Sequence, residues 1–114
     1  MIAHVVLLQP RASLSAADRE ATLATLARAA SDVPGIRRFR IGRRVRHGLP
    51  GYEQSMVQEY DFALLIEFDD VDALKRYLKA PAHAALGHLF ATATAAALAY
   101  DYEIVEASEA SRLL

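Results

Sequence analysis

Apolar and polar positions along the chain alternate between two periods. Ile2 to Leu8 is a continuous apolar run rich in β-branched residues and ended by Pro10. It predicts a strand buried on both faces. Ser15 then precedes a segment in which Leu23, Leu26, Ala30 and Val33 recur at steps of three and four, the stripe of an amphipathic helix. The Ser15 hydroxyl is placed to cap this helix and Asp18 puts negative charge in its first turn. Pro34-Gly35 stops it. From Ile36 to Arg46 the period falls to two. Phe39, Ile41, Arg43 and Val45 share one face, while Arg38, Arg40, Arg44 and Arg46 share the other, which predicts a second strand with a wet side. His47-Gly48-Leu49-Pro50-Gly51 reads as a turn. Glu59 to Phe68 has a strongly apolar centre and predicts a third strand. Asp69-Asp70 is placed to cap a helix over Val71 to Lys79. Pro81 restarts that helix, which is expected to run to about Ala97 through the alanine-rich stretch at 91–99. Tyr100 to Glu106 alternates again and predicts the last strand.

The predicted order is β-α-β-β-α-β, the ferredoxin-like α+β arrangement of a four-stranded antiparallel sheet with helices on one face. It assigns 1–106 to one domain and 107–114 to a C-terminal tail. Helices cover only one side of such a sheet, yet the first and third strands read as apolar on both. An exposed apolar face of that size calls for a second sheet laid against it. A symmetric homodimer is therefore expected, forming a dimeric α/β barrel, with a closed apolar pocket between the two sheets.

Composition narrows the chemistry. The 114 residues suit one core, and 54% of them are hydrophobic, which argues against disorder. The formal net charge of -1 gives no general affinity for nucleic acid or an anionic membrane. The apolar start is too short to span a membrane and lacks the basic residues of a signal peptide, so a cytoplasmic location is the expectation. With no cysteine, disulfides and zinc-thiolate sites are excluded. The histidines at 4, 47, 83 and 88 form no close ligand pair, and 83 and 88 are five apart, off one shared helical face. No metal and no cofactor is expected. There is no P-loop, dinucleotide fingerprint or serine elbow.

Four stretches together carry a family likeness. MIAHVVLL at the start, VPGIRRFRIG after the first helix, FALLIEFDDVDALKRYLKAPAH in the middle and AYDYEIVE at the end resemble the stress-responsive dimeric α/β barrel (Dabb) family. The most specific element is the Tyr-x-x-x-Pro-x-His spacing of RYLKAPAH. A relative in that family is the plant olivetolic acid cyclase, which folds a linear polyketide by an aldol-type condensation. The likeness implies His83 as a base, Tyr77 as its assistant six residues earlier, and His4 on the first strand as a cavity residue. It also implies that Phe62, Leu64 and Ile66 point into that cavity, suiting a small apolar or aromatic ligand. A further cavity histidine of the cyclase falls on Phe62 here.

The residues themselves supply a chemical rationale. His83 lies in the first turn after Pro81, where the helix dipole disfavours a second positive charge and favours a neutral imidazole able to accept a proton. Tyr77 is placed to donate to an oxygen that becomes negative in a transition state. Abstracting a proton beside a carbonyl needs both groups. His4 shares its strand parity with Ile2, Val6 and Leu8, so a cavity that meets His4 also meets Val6. Each of these positions has a plain packing reading as well. Glu67 reads as an ion-pair partner, and the arginines at 37, 38, 40, 43, 44 and 46 as a solvated strand. The leading expectation is a small-molecule-binding homodimer acting as a cofactor-free cyclase, lyase or isomerase. A non-catalytic stress-responsive ligand-binding protein is the alternative. A monooxygenase on the same barrel comes last, since the chain has neither tryptophan nor asparagine.

Overall fold

A computed structural model describes all residues, 1–114. The chain runs β1 (Ile2–Pro10), α1 (Ala16–Asp32), β2 (Ile36–Arg43), β3 (Phe62–Phe68), α2 (Val71–Lys79), α3 (Pro81–Ala93) and β4 (Thr94–Glu103). Short 3-10 turns lie at Glu53–Ser55 and Ala107–Leu113. The strands form one antiparallel sheet in the order β2-β3-β1-β4. This is the ferredoxin-like arrangement expected from the pattern, with the second helix divided at Ala80-Pro81.

The helix boundaries follow from local chemistry. Ser15 accepts the Asp18 backbone N–H at 3.1 Å and starts α1. At its other end Gly35 takes φ +91, a left-handed conformation that a side chain would strain. Asp70 accepts the Ala73 N–H at 2.8 Å and starts α2. Pro81, lacking an N–H to donate, sits at the first position of α3.

Several boundaries differ from the sequence reading, and β4 runs Thr94–Glu103 where a last strand over Tyr100 to Glu106 was expected. The strands β2 and β3 are shorter than predicted, ending at Arg43 and beginning at Phe62. α3 stops at Ala93, and the alanine-rich stretch from Thr94 onward is strand, not helix. Its backbone completes the ladder of β1, with Ala99 opposite Val6 and Ala97 opposite Leu8. Helix propensity is worth only tenths of a kcal/mol per residue, and a central strand left without a partner on one side loses far more. In α1 the buried stripe is Leu26 and Ala29, continued by Val33, while Leu23 is half exposed.

The core fills the space between the helices and one face of the sheet. His4, Val6 and Leu8 of β1 and Leu64, Ile66 and Phe68 of β3 lie on that face, and all are buried. The opposite parity, Ala3, Val5, Leu7, Ala63 and Leu65, lies on the helix-free face and is only half buried in the protomer. The expectation of strands buried on both faces therefore holds for the helix side alone within one chain. Arg40 pairs with Glu67 at 3.2 Å on the helix-free side, and Arg37 with Asp69 at 2.6 Å. Arg46 holds Asp61 at 2.8 Å, and both Arg44 and Arg46 reach Glu59.

Candidate functional site

Three of the predicted site residues meet. Tyr77 is in the last turn of α2, His83 in the first turn of α3, and the Ala80-Pro81 break folds the two helices around each other's ends. His4 rises from β1 beneath them. The ring centroids of Tyr77 and His83 are 5.0 Å apart, those of His4 and Tyr77 5.8 Å, and those of His4 and His83 6.4 Å. All three line a groove of about 400 Å³ with Val6, Leu64, Leu86, Phe90 and Asp101.

The groove is not where the sequence reading put it. A pocket between two stacked sheets was expected, but this one lies between the helices and the sheet of a single protomer. Parity is the cause: His4 belongs to the even positions of β1, and those face the helices. The floor of the groove is made by Ala97 and Ala99 on the same face of β4. Their small side chains leave the space that larger residues would fill.

The predicted lining residues divide three ways. Val6 and Leu64 do line the groove. Phe62 instead lines a neighbouring chamber, which shares Leu64 and Phe90 with the groove. Ile66 is 0% exposed and packs with Phe68 and Tyr77, lining neither cavity. It shares the parity of Leu64, but α2 covers that end of β3 completely.

Asp101 was not singled out from the sequence. Its carboxylate lies 2.6 Å from Nδ1 of His4. A carboxylate oxygen can only accept, so Nδ1 carries the proton and Nε2 is left free. β1 and β4 set this pair directly across from each other, His4 opposite Asp101. The signal was present in Tyr100-Asp101-Tyr102-Glu103, where alternation separates Asp101 from the two tyrosines. The His4 side chain is 6% exposed and that of Asp101 42%, so the carboxylate keeps contact with water and avoids the cost of full burial.

Electrostatics distinguish the two helix residues. Burial, reinforced by the nearby His4, holds the His83 imidazole below the ordinary histidine range, against a smaller opposing effect of the Leu78 backbone. Burial alone pushes the Tyr77 hydroxyl up to about 12. At neutral pH the groove thus presents a neutral imidazole beside a protonated phenol. No three His, Asp or Glu side chains are grouped as a metal would need. No helix is long and apolar enough to cross a membrane.

A four-stranded antiparallel sheet with its helices packed on one face places the chain among ferredoxin-like α+β domains. The chain belongs to the Dabb family, the stress responsive A/B barrel domain, whose model matches residues 2–104. Among solved structures, a dimeric ferredoxin-like protein of unknown function from Jannaschia sp. CCS1 is 26% identical, with TM-score 0.69, covering 90% of this chain and 98% of that one. A Dabb family protein from Mesorhizobium loti is 21% identical, with TM-score 0.72 and coverages of 91% and 96%. The hydroxynitrile lyase of Passiflora edulis is 15% identical, with TM-score 0.78 and coverages of 92% and 94%, a likeness of fold. No curated protein matches the sequence.

The lowered His83 affinity for protons can be read directly. In a ring-proton NMR titration, His83 should titrate at lower pH in the folded protein than in the urea-unfolded chain. Between the two midpoints the unfolded chain binds more protons. The contribution of His83 to stability therefore rises with pH across that window and is lost as pH falls through it. A folded midpoint at or above the unfolded one would contradict a desolvated imidazole.

Proposed function

We propose that this protein is a small-molecule-binding homodimer that moves a proton beside a carbonyl without a cofactor, chemistry shared by cyclases, lyases and isomerases. The observation that carries the reading is the pairing of a neutral, partly desolvated His83 with a protonated Tyr77 in one groove. A free electron pair on His83 takes the proton from carbon. The electrons of that C–H bond pass onto the carbonyl oxygen, and the Tyr77 O–H donates to the oxygen as it becomes negative. Returning the proton from His83, to carbon or to a leaving group, closes the cycle. His4 is a positioning residue, held in one tautomer by Asp101, with its free Nε2 available to the bound molecule. The apolar walls, Val6, Leu64, Leu86 and Phe90, suit an acyl or aromatic body. The same fold serves a lyase in Passiflora edulis, which supports catalysis on such a frame.

Dimerisation is supported by two observations. Val5, Leu7, Leu65 and Leu98 form an apolar helix-free face flanked by Tyr100 and Tyr102, both at least half exposed. Relatives of the same fold from Jannaschia and Thermobifida fusca are described as dimeric. In the proposed assembly each protomer keeps its own groove on the outer, helix side.

Proton transfer can be tested before a substrate is known. Incubated in D2O with a panel of apolar ketones and acyl compounds, the protein should introduce deuterium beside the carbonyl. Tyr77→Phe should slow this about a hundredfold, and His83→Ala should abolish it, with melting temperatures little changed. Equal exchange by His83→Ala and the unaltered protein would end the proposal.

The dimer has its own test. Leu65→Lys should turn a dimer into a monomer in sedimentation velocity, since it places a charge on an apolar interface. An unaltered protein that sediments as a monomer at micromolar concentration would remove this part of the reading.

A further inference from the structure

The walls of the histidine groove are charged at one place. Most of the lining is hydrocarbon, from residues such as Val6, Leu86 and Phe90. No arginine or lysine borders it. The basic residues in the last turn of α2, Arg76 and Lys79, lie outside its lining. Burial keeps His83 neutral, and His4 holds its proton on Nδ1 with Nε2 free. Asp101 is therefore the charged group that a bound molecule meets.

The Asp101 carboxylate is only partly engaged. One oxygen accepts the His4 Nδ1–H at 2.6 Å, and the side chain enters no other ion pair or hydrogen bond. A carboxylate offers about four lone-pair sites, and a neutral imidazole leaves its charge unbalanced. Asp61 and Glu59 differ in this, since each meets an arginine. Partial exposure of Asp101 puts the carboxylate where the groove opens to water. An ammonium at that end gains a charge-assisted hydrogen bond. A carboxylate there meets a like charge with no cation to offset it.

We infer that the groove selects its ligand by charge, taking an apolar body that carries an ammonium beside Asp101 and refusing the same body with a carboxylate. Asp101 is the specificity-determining residue. The inference rests on the proposed function for the groove as the ligand site, and it names the substrate class as an amine-bearing carbonyl compound. It does not require the proton transfer itself.

Phenethylamine, phenethyl alcohol and phenylacetate are the probes, because they share one apolar body. Each is titrated into the protein at neutral pH and followed by the NMR signals of His4, His83 and Ala99. The amine should bind about threefold more tightly than the alcohol, and phenylacetate about threefold more weakly. In concentrated salt the three should converge, since the Debye length falls to about 3 Å at 1 M. Asp101→Asn keeps an oxygen for His4, removes the charge and should level the three probes. Should that variant fail to fold, the salt dependence of the unaltered protein decides. Glu103→Gln, two residues along the same strand, should leave the preference intact, which separates pairing at Asp101 from overall charge.

Proton transfer is read apart from binding. In D2O the para-aminomethyl derivative of acetophenone should exchange its methyl protons faster than the para-carboxylate derivative, each rate taken relative to free imidazole. If neither exchanges, the proton-transfer reading falls, and the binding order still decides the charge selection. Phenylacetate binding as tightly as phenethylamine would overturn the inference. So would an amine preference that survives Asp101→Asn or concentrated salt, or one lost equally in Glu103→Gln. Amine-induced shifts that are absent, or centred away from His4 and His83, would do the same.

Discussion

The parity of β1 governs the molecule. This strand sits inside the sheet, paired to β3 on one side and β4 on the other. Its even residues face the helices and its odd residues face away. A slip of one residue would exchange the two sets. His4 would then leave the groove, Val6 and Leu8 would leave the core, and Val5 and Leu7 would be driven under the helices. The hydrophobic clusters on the helix side and the half-buried free face are consequences of the same register.

That register also solves an electrostatic problem. A histidine in an apolar layer costs free energy unless its polar atoms find partners. β4 supplies one, because Asp101 falls directly across from His4, at the end of the sheet where water still reaches the carboxylate. The alanines at 97 and 99 keep the rest of that strand low. Residues of small volume there leave a groove instead of a filled core, and the ends of α2 and α3 place Tyr77 and His83 over it. The site is thus assembled from two helix ends and two strands, joined by one break at Pro81.

Much of this was legible in the sequence, and the failures have physical causes. Two periods, the serine and aspartate caps and Pro34-Gly35 sufficed for the order of elements. Tyr77, His83 and His4 could be chosen from their spacing within a family likeness. The start of β4 was not legible, because local propensity favours helix in an alanine-rich stretch and only pairing with β1, far away in the chain, makes it strand. Asp101 was missed for the same reason, since its partner lies 97 residues away. Period-two patterns assign Phe62, Leu64 and Ile66 to one face, but they do not say which helix lies over each. α2 closes over Ile66, while Phe62 opens onto the chamber under α1. Nor does alternation say which face the helices choose, so the cavity was expected on the wrong side of the sheet.

The account stands or falls on His4 facing Asp101 on the helix side. Nitrogen-15 NMR of the imidazole rings at pH 8 reads this in one spectrum. The expected result is a His4 ring fixed as one tautomer, with its proton on Nδ1 and none on Nε2. A proton on Nε2, or rapid averaging between the two as in a solvated ring, would contradict it.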